Sequence, residues 1–554
     1  MSESVSQIPS GLRYYFGQEA KLRREIEATV MEVFDAHGYE EIATPTIDYY
    51  ALFERGMGRH EAEKAFKFSD ANANLLALRP DVTSTVARAA ATIFSDAPRP
   101  LRFCYAASVF RQTPASHAQW RRENFQVGSE LIGSNTITAD IESLTITAEI
   151  LEKLGLKERA CITLNSSEIF NGIAENLKLN ETVRQELRML MDLRAADDLE
   201  KFLRDYASAQ EAEDFAELVR LSGKEETLKS ARKVINNERS VKALDYLENL
   251  WCELEKKNLV SLFEFDFSDV AGLDYYTGLT FKTYIEGVGN RVGSGGRYDN
   301  LLENFGKAES AIGFVFDLDL LSAVSKKKNN GQQTTDNGQV LTFALAKGRL
   351  QETVLELFSK SGIHVSDKEL NSRKLSITDE GGLYRFIFVK PSDVPVYVEH
   401  GIADCGVVGR DVLLETNADL LQPLDLKVGR CRIAVAAMHG FDAKKNLGAK
   451  KNLGMLHVAT KHPQIAAKHF GTKGVPVEII QLSGSVEIAP VLGLADCIVD
   501  LVETGRTLEE NGLEIVEVIA ESTARLVVNR VSYQLKTKAI SELITNIKTA
   551  ETRP

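Results

Sequence analysis

A polar segment at residues 325–339, SKKKNNGQQTTDNGQ, divides the chain of 554 residues into two parts. It contains glycine and no large apolar side chain, which is the composition of a flexible linker. A chain of this length normally folds into three or four domains, each with its own hydrophobic core. We therefore predict that residues 1–324 and residues 340–554 fold separately.

The composition excludes several classes of protein. Hydrophobic residues make up 44% of the chain and charged residues 26%, and the net charge of −13 argues against a general affinity for nucleic acid. The six cysteines are dispersed without a C-x-x-C pair, which favours reduced thiols over disulfides or a zinc site. The N-terminus has no signal-peptide core, and no run of about 18 apolar residues occurs, so we expect a cytoplasmic protein that does not contact a membrane.

The part after the linker repeats a strand–loop–helix pattern, which predicts an α/β fold with mostly parallel sheets. Lys347 and Arg349 follow one predicted strand, Arg410 follows another, and a helix is predicted to open at Ser485 with Glu487 in its first turn. Such folds bind ligands at the carboxyl ends of their strands. Taken singly, each arginine is more typical of a solvated side chain, but several at strand ends favour a site for an anion.

Residues 494–512, LADCIVDLVETGRTLEENG, give the clearest indication of chemistry. The apolar run that carries Asp500 predicts a buried strand, followed by a loop and a helix in which Thr507 and Glu510 fit a capping box. The loop offers backbone N–H groups, two hydroxyls, a glycine and an arginine, which suit a phosphate monoester. Asp500 is placed to hold ribose hydroxyls or a phosphate-bound metal ion. An ordinary strand–loop–helix joint with a surface arginine fits the spacing equally well.

The part before the linker predicts an amphipathic helix from Leu22 to Phe34, a mostly helical stretch at 140–258 and strands on both sides of that stretch. Five segments of this part resemble histidyl-tRNA synthetase, a class II synthetase, in the order of that family. The resemblance implies an α+β fold built on an antiparallel sheet with a helical insertion. The segments are GYEEIATPTID, VFRQTP with RRENFQVGSELIG, AGLDYYTGLTF, SGGRYDNLL and AIGFVFDLDLL.

Four positions depart from the synthetase pattern. Ala271 stands where the family has an arginine, and Leu320 stands where the third motif ends in an arginine that grips ATP. Asp317 stands where the family has a glycine in the third motif, and Thr113 stands where it has a glutamate in the second motif. Each lost charged donor costs on the order of 2–4 kcal/mol of transition-state stabilisation. We therefore predict that this part does not charge tRNA.

The resemblance implies that the amino-acid pocket of the synthetase is still present in this chain. Its carboxylate, amide and phenol groups suit an α-ammonium and an imidazole, so we expect it to bind histidine. The alternative is that these side chains persist only as buried polar core. A synthetase core with a pocket but without the chemistry resembles the regulatory subunit of ATP phosphoribosyltransferase. The pocket residues are Asp81, Thr83, Arg111, Gln126, Glu130, Tyr275 and Tyr276.

The part after the linker resembles the short form of ATP phosphoribosyltransferase, through AKGRL, NSRKL, DCGVVGRD, GSVEIAP and the segment at 494–512. The resemblance implies two α/β lobes, similar to periplasmic binding proteins, around a cleft. The implied reaction is attack of adenine N1 of ATP on ribose C1 of 5-phosphoribosyl 1-pyrophosphate, with departure of pyrophosphate. Mg²⁺ is implied as a cofactor carried by the substrate, without a metal site of the protein itself.

The resemblance also implies a role for individual residues in this part. The catalytic residues would be Lys347, Arg349 and Arg373. The substrate-binding residues would be Arg410, Gly484, Ser485, Glu487, Asp500, Glu503, Thr504, Gly505, Arg506 and Thr507.

The two resemblances together predict a fused enzyme of histidine biosynthesis, inhibited by histidine through its first part. The expected partners are ATP, 5-phosphoribosyl 1-pyrophosphate and histidine, and neither tRNA nor a membrane. We expect a homo-oligomer, with a tetramer as one candidate state. One alternative is a true histidyl-tRNA synthetase with an accessory domain, against which Ala271 and Leu320 count. The other is a non-enzymatic sensor of histidine or a nucleotide, against which the phosphate loop counts.

Overall fold

The computed structural model describes residues 7–113, 120–270, 275–329, 340–370, 374–441 and 455–551. Its internal contacts divide the chain into two compact units. The first unit comprises Met1–Gln339 together with Asn529–Ser541, and the second comprises Val340–Val528 together with Glu542–Pro554. A short segment near the C-terminus therefore packs with the first unit, which the pattern of the sequence does not predict.

Helices occur in both units of the structure. They are α1 (Gly17–Ala36), α2 (Tyr50–Met57), α3 (Arg59–Ala62), α4 (Thr83–Ala91), α5 (Ile137–Lys153), α6 (Ser167–Asn176), α7 (Glu181–Asp192), α8 (Ala196–Leu203), α9 (Ala209–Arg220), α10 (Glu225–Val234), α11 (Glu238–Lys256), α12 (Leu318–Asn329), α13 (Arg349–Lys360), α14 (Asp367–Leu370), α15 (Val394–Glu399), α16 (Arg410–Thr416), α17 (Pro463–Thr472), α18 (Ile488–Val491), α19 (Arg506–Glu510), α20 (Arg530–Leu535) and α21 (Thr537–Glu551).

The strands form four sheets. They are β1 (Glu40–Glu41), β2 (Ile47–Tyr49), β3 (Lys67–Ser69), β4 (Leu75–Leu78), β5 (Leu101–Phe110), β6 (Glu123–Ile132), β7 (Ala160–Ser166), β8 (Ser222–Gly223), β9 (Phe263–Asp266), β10 (Leu279–Ile285), β11 (Gly293–Arg297), β12 (Ala311–Asp317), β13 (Leu341–Ala346), β14 (Ser376–Thr378), β15 (Tyr384–Val389), β16 (Cys405–Gly409), β17 (Leu421–Asp425), β18 (Cys431–Met438), β19 (Leu456–Thr460), β20 (Val477–Gln481), β21 (Cys497–Val502), β22 (Leu513–Ser522) and β23 (Ala524–Val528).

A nine-stranded sheet in the order β1-β5-β6-β12-β11-β10-β7-β9-β8 forms the centre of the first unit. Its pairs are antiparallel except for β1 with β5 and β7 with β9, so the predicted antiparallel sheet is confirmed. Helix α1 buries Ile26, Val30, Val33 and Phe34 as the helical periodicity predicts. A separate three-stranded sheet, β2-β4-β3, completes this unit.

The stretch at 140–258 is mostly helical as predicted, from α5 to α11. Strand β7 interrupts it and pairs with β10 and β9 in the sheet. A short apolar run has no periodicity that separates a buried strand from a buried helix. Helix α12 continues to Asn329, so residues 325–329 of the predicted linker are helical, and residues 330–339 lie outside the described residues.

The second unit is built on a six-stranded sheet, β14-β15-β13-β16-β23-β17, and a five-stranded sheet, β20-β19-β21-β18-β22. Both sheets are mixed, because β23, β17, β18 and β22 take part in antiparallel pairs, so the prediction of mostly parallel sheets is wrong. The chain passes between the two sheets twice, from Asp425 to Cys431 and from Ser522 to Ala524. We call these two connections the crossings.

In the described part of the chain, no helix has both the length and the apolarity that are needed to cross a membrane.

A buried ion pair fixes the end of β11. The Arg297 guanidinium donates to Asp140 Oδ1 through Nε at 3.1 Å and through Nη2 at 2.6 Å, and both residues are buried. Arg297→Met should lower the free energy of unfolding of the first unit by about 3–5 kcal/mol, because it leaves a buried carboxylate without its cation. Urea unfolding followed by fluorescence checks this, since Trp120 and Trp251 both lie in the first unit.

The matched control is Arg239→Met. Arg239 pairs with Glu168 and Glu175 at the surface, where such pairs contribute about 0–1 kcal/mol. Equal losses from the two substitutions would contradict the role given to the Arg297 pair.

Candidate functional site

The loops of the second unit that were predicted to hold substrate lie at one edge of the five-stranded sheet. Strands β20, β19 and β21 are parallel, so the loops that follow them emerge from the same edge. These loops are residues 461–462, 482–487 and 503–505. Arg506 and Thr507, which were predicted to lie in the last loop, instead begin α19. In the register of the sheet, Val502 lies opposite Arg432, which is one residue from the start of β18, so this edge is also the edge where the crossings lie.

The carboxyl ends of the parallel strands in the six-stranded sheet also lie at the crossings. Strands β15, β13 and β16 are parallel, and Lys347 and Arg410 follow the carboxyl ends of β13 and β16. The Arg410 backbone N–H donates to the Thr523 carbonyl at 3.0 Å, in the second crossing. The Ser522 hydroxyl donates to Asp411 Oδ1 at 2.8 Å and accepts from the Asp411 backbone N–H at 3.0 Å. The carboxyl ends of both sheets therefore meet at the crossings.

Cys431 gives an independent sign that the two edges converge. Burial raises the pKa of its thiol, and the negative charges of Asp411 and Glu503 raise it further. Asp411 follows the end of β16 in one sheet, and Glu503 follows the end of β21 in the other. The segments after both strands therefore lie close to Cys431.

The residues of the segment at 503–507 are largely exposed, as a phosphate site requires, but the helix there starts differently from the prediction. Gly505 is the N-cap residue of α19 and has a left-handed φ of 83°. Because glycine has no side chain, it provides no capping hydrogen bond. The predicted capping box of Thr507 with Glu510 is therefore wrong. Instead, Arg506 Nε donates to Glu510 Oε1 at 2.8 Å on the exposed face. Asn511 and Gly512, which has a φ of 72°, end the helix.

Asp500 lies half-buried in β21, three residues before this loop. Burial raises the pKa of its carboxyl, the charge of Glu487 raises it further, and Lys461 and His462 act in the opposite direction. Glu487, Lys461 and His462 therefore all lie close enough to Asp500 to act on its charge. Lys461 and His462 were not among the predicted site residues, although they directly follow the apolar strand β19.

The other predicted substrate residues differ in what the structure says of them. Glu487 precedes the short helix α18, which begins at Ile488 and thus later than predicted. Gly484, Ser485 and Lys347 are exposed. Arg349 begins α13, and nothing is described of its side chain; Arg373 lies outside the described residues.

In the first unit, a buried carboxyl group lies at the centre of the predicted histidine pocket. Glu130 is 1% exposed, and its Oε1 accepts from the Thr83 hydroxyl at 2.7 Å. Its Oε2 accepts from the Tyr298 hydroxyl, and Tyr105 Oη is 3.5 Å from Oε1. Burial raises the pKa of Glu130 to about 8, and the charge of Asp81 adds to this effect. Tyr105 and Tyr298 were missed, because tyrosines in apolar strands look like ordinary core residues.

Glycines in the neighbouring strands make room for these side chains. Gly313 in β12 lies opposite Glu130, and a Cβ there would collide with the Glu130 carboxyl group. A Cβ on Gly296 in β11 would lie 2.8 Å from Tyr276 Cε1. The glycine-rich segment therefore leaves space above the sheet for the carboxyl and phenol groups of the pocket.

The remaining predicted pocket residues lie around Glu130 to different extents. Asp81 Oδ2 accepts from the Ser84 backbone N–H at 2.9 Å, and its charge acts on Glu130, Tyr275 and Tyr276. The ring centroids of Tyr275 and Tyr276 are 5.1 Å apart, and Tyr275 is 5.7 Å from Tyr298.

Gln126 lies in β6, and Arg111 directly follows β5, the strand that pairs with β6. Gln126 lies four residues before Glu130 in β6, which places it on the same face of the sheet. The Arg111 backbone N–H donates to the Arg122 carbonyl at 2.8 Å. Ala271 and residues 272–274 lie outside the described residues.

An acidic cluster occupies the end of β12, where the third synthetase motif was recognised. Burial raises the pKa of Asp317 to about 6, and the charge of Asp319 raises it further. Asp319 pairs with Arg23 at 3.1 Å and with Arg121 at 3.5 Å. Leu320 packs against the hydrophobic core instead of presenting a cation.

Comparisons with known proteins match two parts of the chain to two families. Residues 11–321 match the family model described as histidyl-tRNA synthetase, and residues 390–549 match that of ATP phosphoribosyltransferase. The ATP phosphoribosyltransferase of Geobacter metallireducens is 47% identical over 208 residues, which are 38% of this chain and 97% of the relative. The ATP phosphoribosyltransferase regulatory subunit of Clostridium botulinum is 32% identical over 339 residues, which are 61% of this chain and 80% of the relative.

Solved structures are similar to the first unit. An ATP phosphoribosyltransferase regulatory subunit/histidyl-tRNA synthetase from Bacillus halodurans has a TM-score of 0.54 at 26% identity, over 70% of this chain and 93% of that chain. A histidine–tRNA ligase subunit from Alicyclobacillus acidocaldarius, with a TM-score of 0.52 at 24% identity over 59% of this chain and 100% of that chain, has the same fold. The chain therefore belongs through its first part to the histidyl-tRNA synthetase family, as a relative of ATP phosphoribosyltransferase regulatory subunits, and through its second part to the ATP phosphoribosyltransferase family.

Proposed function

We propose that the loops at the crossings bind ATP and 5-phosphoribosyl 1-pyrophosphate, and that the pocket around Glu130 binds the histidine that inhibits the enzyme. The chain is an ATP phosphoribosyltransferase of histidine biosynthesis by its family. The observation that carries the site proposal is the convergence of the parallel strand ends of both sheets at the crossings.

The reaction forms a bond between adenine N1 and ribose C1 while the bond from C1 to pyrophosphate breaks with its electron pair. The ribose carries positive charge in the transition state, so the protein has mainly to position two polyanions and stabilise the leaving group. The segment at 503–507 supplies backbone N–H groups for the 5′-phosphate. Asp500 accepts from ribose hydroxyls, and Lys347 and Lys461, which follow the carboxyl ends of β13 and β19, neutralise phosphate charge.

Mg²⁺ is accommodated by the same residues. Among the described residues no group of three or more His, Cys, Asp or Glu side chains is arranged to hold a metal ion. Mg²⁺ commonly uses one or two carboxylates together with substrate phosphates, and Asp500 and Glu487 offer such a pair. The ion, when bound with the substrate, would lower the charge of the departing pyrophosphate.

The two sheets of the second unit would act as lobes like those of periplasmic binding proteins, with the crossings as hinge. Lobe closure would exclude water from the reacting groups, because the loops that contact substrate come from both sheets. The homo-oligomer expected from the resemblance stays a prediction.

Asp500→Asn should lower kcat/KM for 5-phosphoribosyl 1-pyrophosphate by about 10²-fold, which corresponds to about 2.7 kcal/mol of transition-state stabilisation. The amide keeps the size of the side chain but loses the charge that accepts from hydroxyls and attracts the metal ion. Steady-state kinetics of phosphoribosyl-ATP formation measures the effect.

Asp496→Asn is the matched control for this substitution. Asp496 lies just before the other end of β21, where its Oδ2 accepts from the His457 backbone N–H at 2.8 Å. The control should keep kcat/KM within about two-fold, a change of about 0.4 kcal/mol. An Asp500→Asn enzyme as active as the control would remove Asp500 from the site.

Histidine binding should release a proton from Glu130. At pH 7 the folded protein holds this carboxyl mostly protonated, because burial raises its pKa to about 8. An α-ammonium or imidazole N–H that donates to Glu130 favours the ionised form, so the affinity should rise with pH up to about 8. The same shift contributes stability that is present below the ordinary pKa of the carboxyl and is lost as pH rises through about 8.

Calorimetry in two buffers of different ionisation enthalpy counts the released proton. Glu130→Gln should abolish the release and weaken histidine inhibition about tenfold or more. Glu123→Gln, on the exposed end of the same strand, is the matched control and should retain both. Proton release that persists in Glu130→Gln would place the ligand elsewhere.

The protein should not exchange labelled pyrophosphate into ATP in the presence of histidine and the absence of the phosphoribosyl substrate. Leu320 supplies no cation where a synthetase needs one for the α-phosphate, and the neighbouring Asp317, with a pKa of about 6, adds negative charge at neutral pH. The same preparation must form phosphoribosyl-ATP, which serves as the positive control. Histidine-dependent exchange above background would favour the synthetase alternative.

A further inference from the structure

Helix α20 belongs to the ATP phosphoribosyltransferase part of the sequence but to the first unit of the structure. It lies within residues 390–549, which match the ATP phosphoribosyltransferase family model. Its residues nevertheless pack with the first unit, as do those that follow it up to Ser541. The preceding strand β23 ends at Val528 in the second unit, and α21 passes back into that unit after Ser541.

A salt bridge holds the start of the helix to the first unit. Arg530 Nη2 donates to Asp192 Oδ2 at 2.6 Å, and Nη1 donates to the Asp192 carbonyl at 3.1 Å. The two side chains are 12% and 16% exposed, so the pair is largely shielded from water. Asn529 adds an anchor, because its Nδ2 donates to the Gly289 carbonyl at 2.9 Å while its Oδ1 accepts from the backbone N–H of Val531.

A buried polar network holds the end of the helix. Gln534 Nε2 donates to Asp266 Oδ2, and Gln534 Oε1 accepts from the Ser222 hydroxyl at 3.2 Å. Arg194 pairs with Asp266 Oδ1 at 2.6 Å and stacks over the Tyr533 ring, 4.0 Å from its centroid. Arg194, Asp266, Tyr533 and Gln534 are all buried. The Arg194 charge lowers the pKa of Asp266, so the network contains a buried ion pair.

Such a network favours two discrete arrangements of α20, docked and undocked, over a gradual movement of the helix. Undocking α20 would remove the Gln534 donor from Asp266 and the Tyr533 ring from Arg194, leaving buried polar groups without these partners. Breaking a buried pair in this way is costly, so docked and undocked arrangements are separated rather than connected by partial contacts.

Asp266 lies on the same face of the nine-stranded sheet as the histidine pocket. Three residues farther on, Asp269 pairs with Lys282 of β10, and its Oδ2 accepts from the Thr163 hydroxyl at 3.3 Å. In the register of the sheet, Lys282 lies two residues from Thr280, which is opposite Gly296, the glycine covered by Tyr276. From β11 to β9 is three strand spacings, about 14 Å.

We propose that α20 is the element that couples histidine occupancy to catalysis, because it packs onto Asp192, Arg194 and Asp266 of the first unit and begins two residues after the end of β23 in the chain. This inference rests on the proposed function, since it assumes that histidine binds around Glu130 and inhibits the second unit. A change at the pocket reaches α20 through the paired groups at Asp269 and Asp266. It then reaches β23 through the peptide bond from Val528 to Asn529, and α21 through the residues after Leu535.

The experiment compares catalytic activity with and without saturating histidine in full-length variants, together with histidine binding by calorimetry. Arg530→Asp and Gln534→Ala should still bind histidine, with a Kd within about three-fold of the original, but saturating histidine should inhibit them less than about two-fold. Arg232→Ala is the matched control, because Arg232 pairs with Asp245 and Glu248 at the surface of the first unit. It should be inhibited like the unmodified protein.

A charge exchange separates coupling from general damage. The double variant Asp192→Arg with Arg530→Asp should recover inhibition that each single substitution loses. If Arg530→Asp and Gln534→Ala bind histidine and are inhibited as fully as the control, α20 is not the coupling element. If the unmodified protein is active but histidine binds without inhibiting it, the proposed function itself fails.

Discussion

Buried acidic groups on one face of the nine-stranded sheet are the constraint on which the first unit depends. Glu130, Asp269 and Asp266 are all removed from water, and such groups must be protonated, paired or hydrogen-bonded. Three hydroxyl groups surround Glu130, whose raised pKa keeps it largely protonated at neutral pH, whereas Lys282 neutralises Asp269 and Arg194 neutralises Asp266. Glu130 therefore remains a group that a cationic ligand can ionise, and the hydrogen bonding of Asp266 is completed only by Gln534 of α20.

The sequence allows the overall organisation to be predicted, because it depends on local patterns. The face of α1, the order of the synthetase-like segments and the strand–loop–helix joints all follow from apolar spacing and turn residues. The pairing of the strands does not follow from these local patterns. The antiparallel entry of β23 and β18 into the sheets of the second unit depends on contacts distant in sequence, so mostly parallel sheets were predicted where mixed ones occur.

The candidate sites were predictable where a residue is unusual for its position, and missed where it is ordinary. A carboxylate at Asp500 inside an apolar run is conspicuous, whereas Tyr105, Tyr298 and Lys461 are common in strands and at strand ends. The position of Gln534 beside Asp266 could not be deduced at all, because it joins residues 268 positions apart in the chain. Thr507 was misplaced because a capping pattern ignores the left-handed glycine that in fact precedes the helix.

Fusion of the two parts does not by itself produce regulation. A tether raises the effective concentration of one part near the other, to millimolar values for short flexible linkers, but it shifts no equilibrium between active and inactive forms. Inhibition requires that histidine bind one arrangement more tightly, and a ten-fold preference corresponds to only about 1.4 kcal/mol. The buried network around Asp266 is a structural means for such a preference, because a single hydrogen bond to a charged group is worth about 1.5–3 kcal/mol. A small shift in the pairing of Asp269 and Asp266 is therefore sufficient to change the population of docked α20.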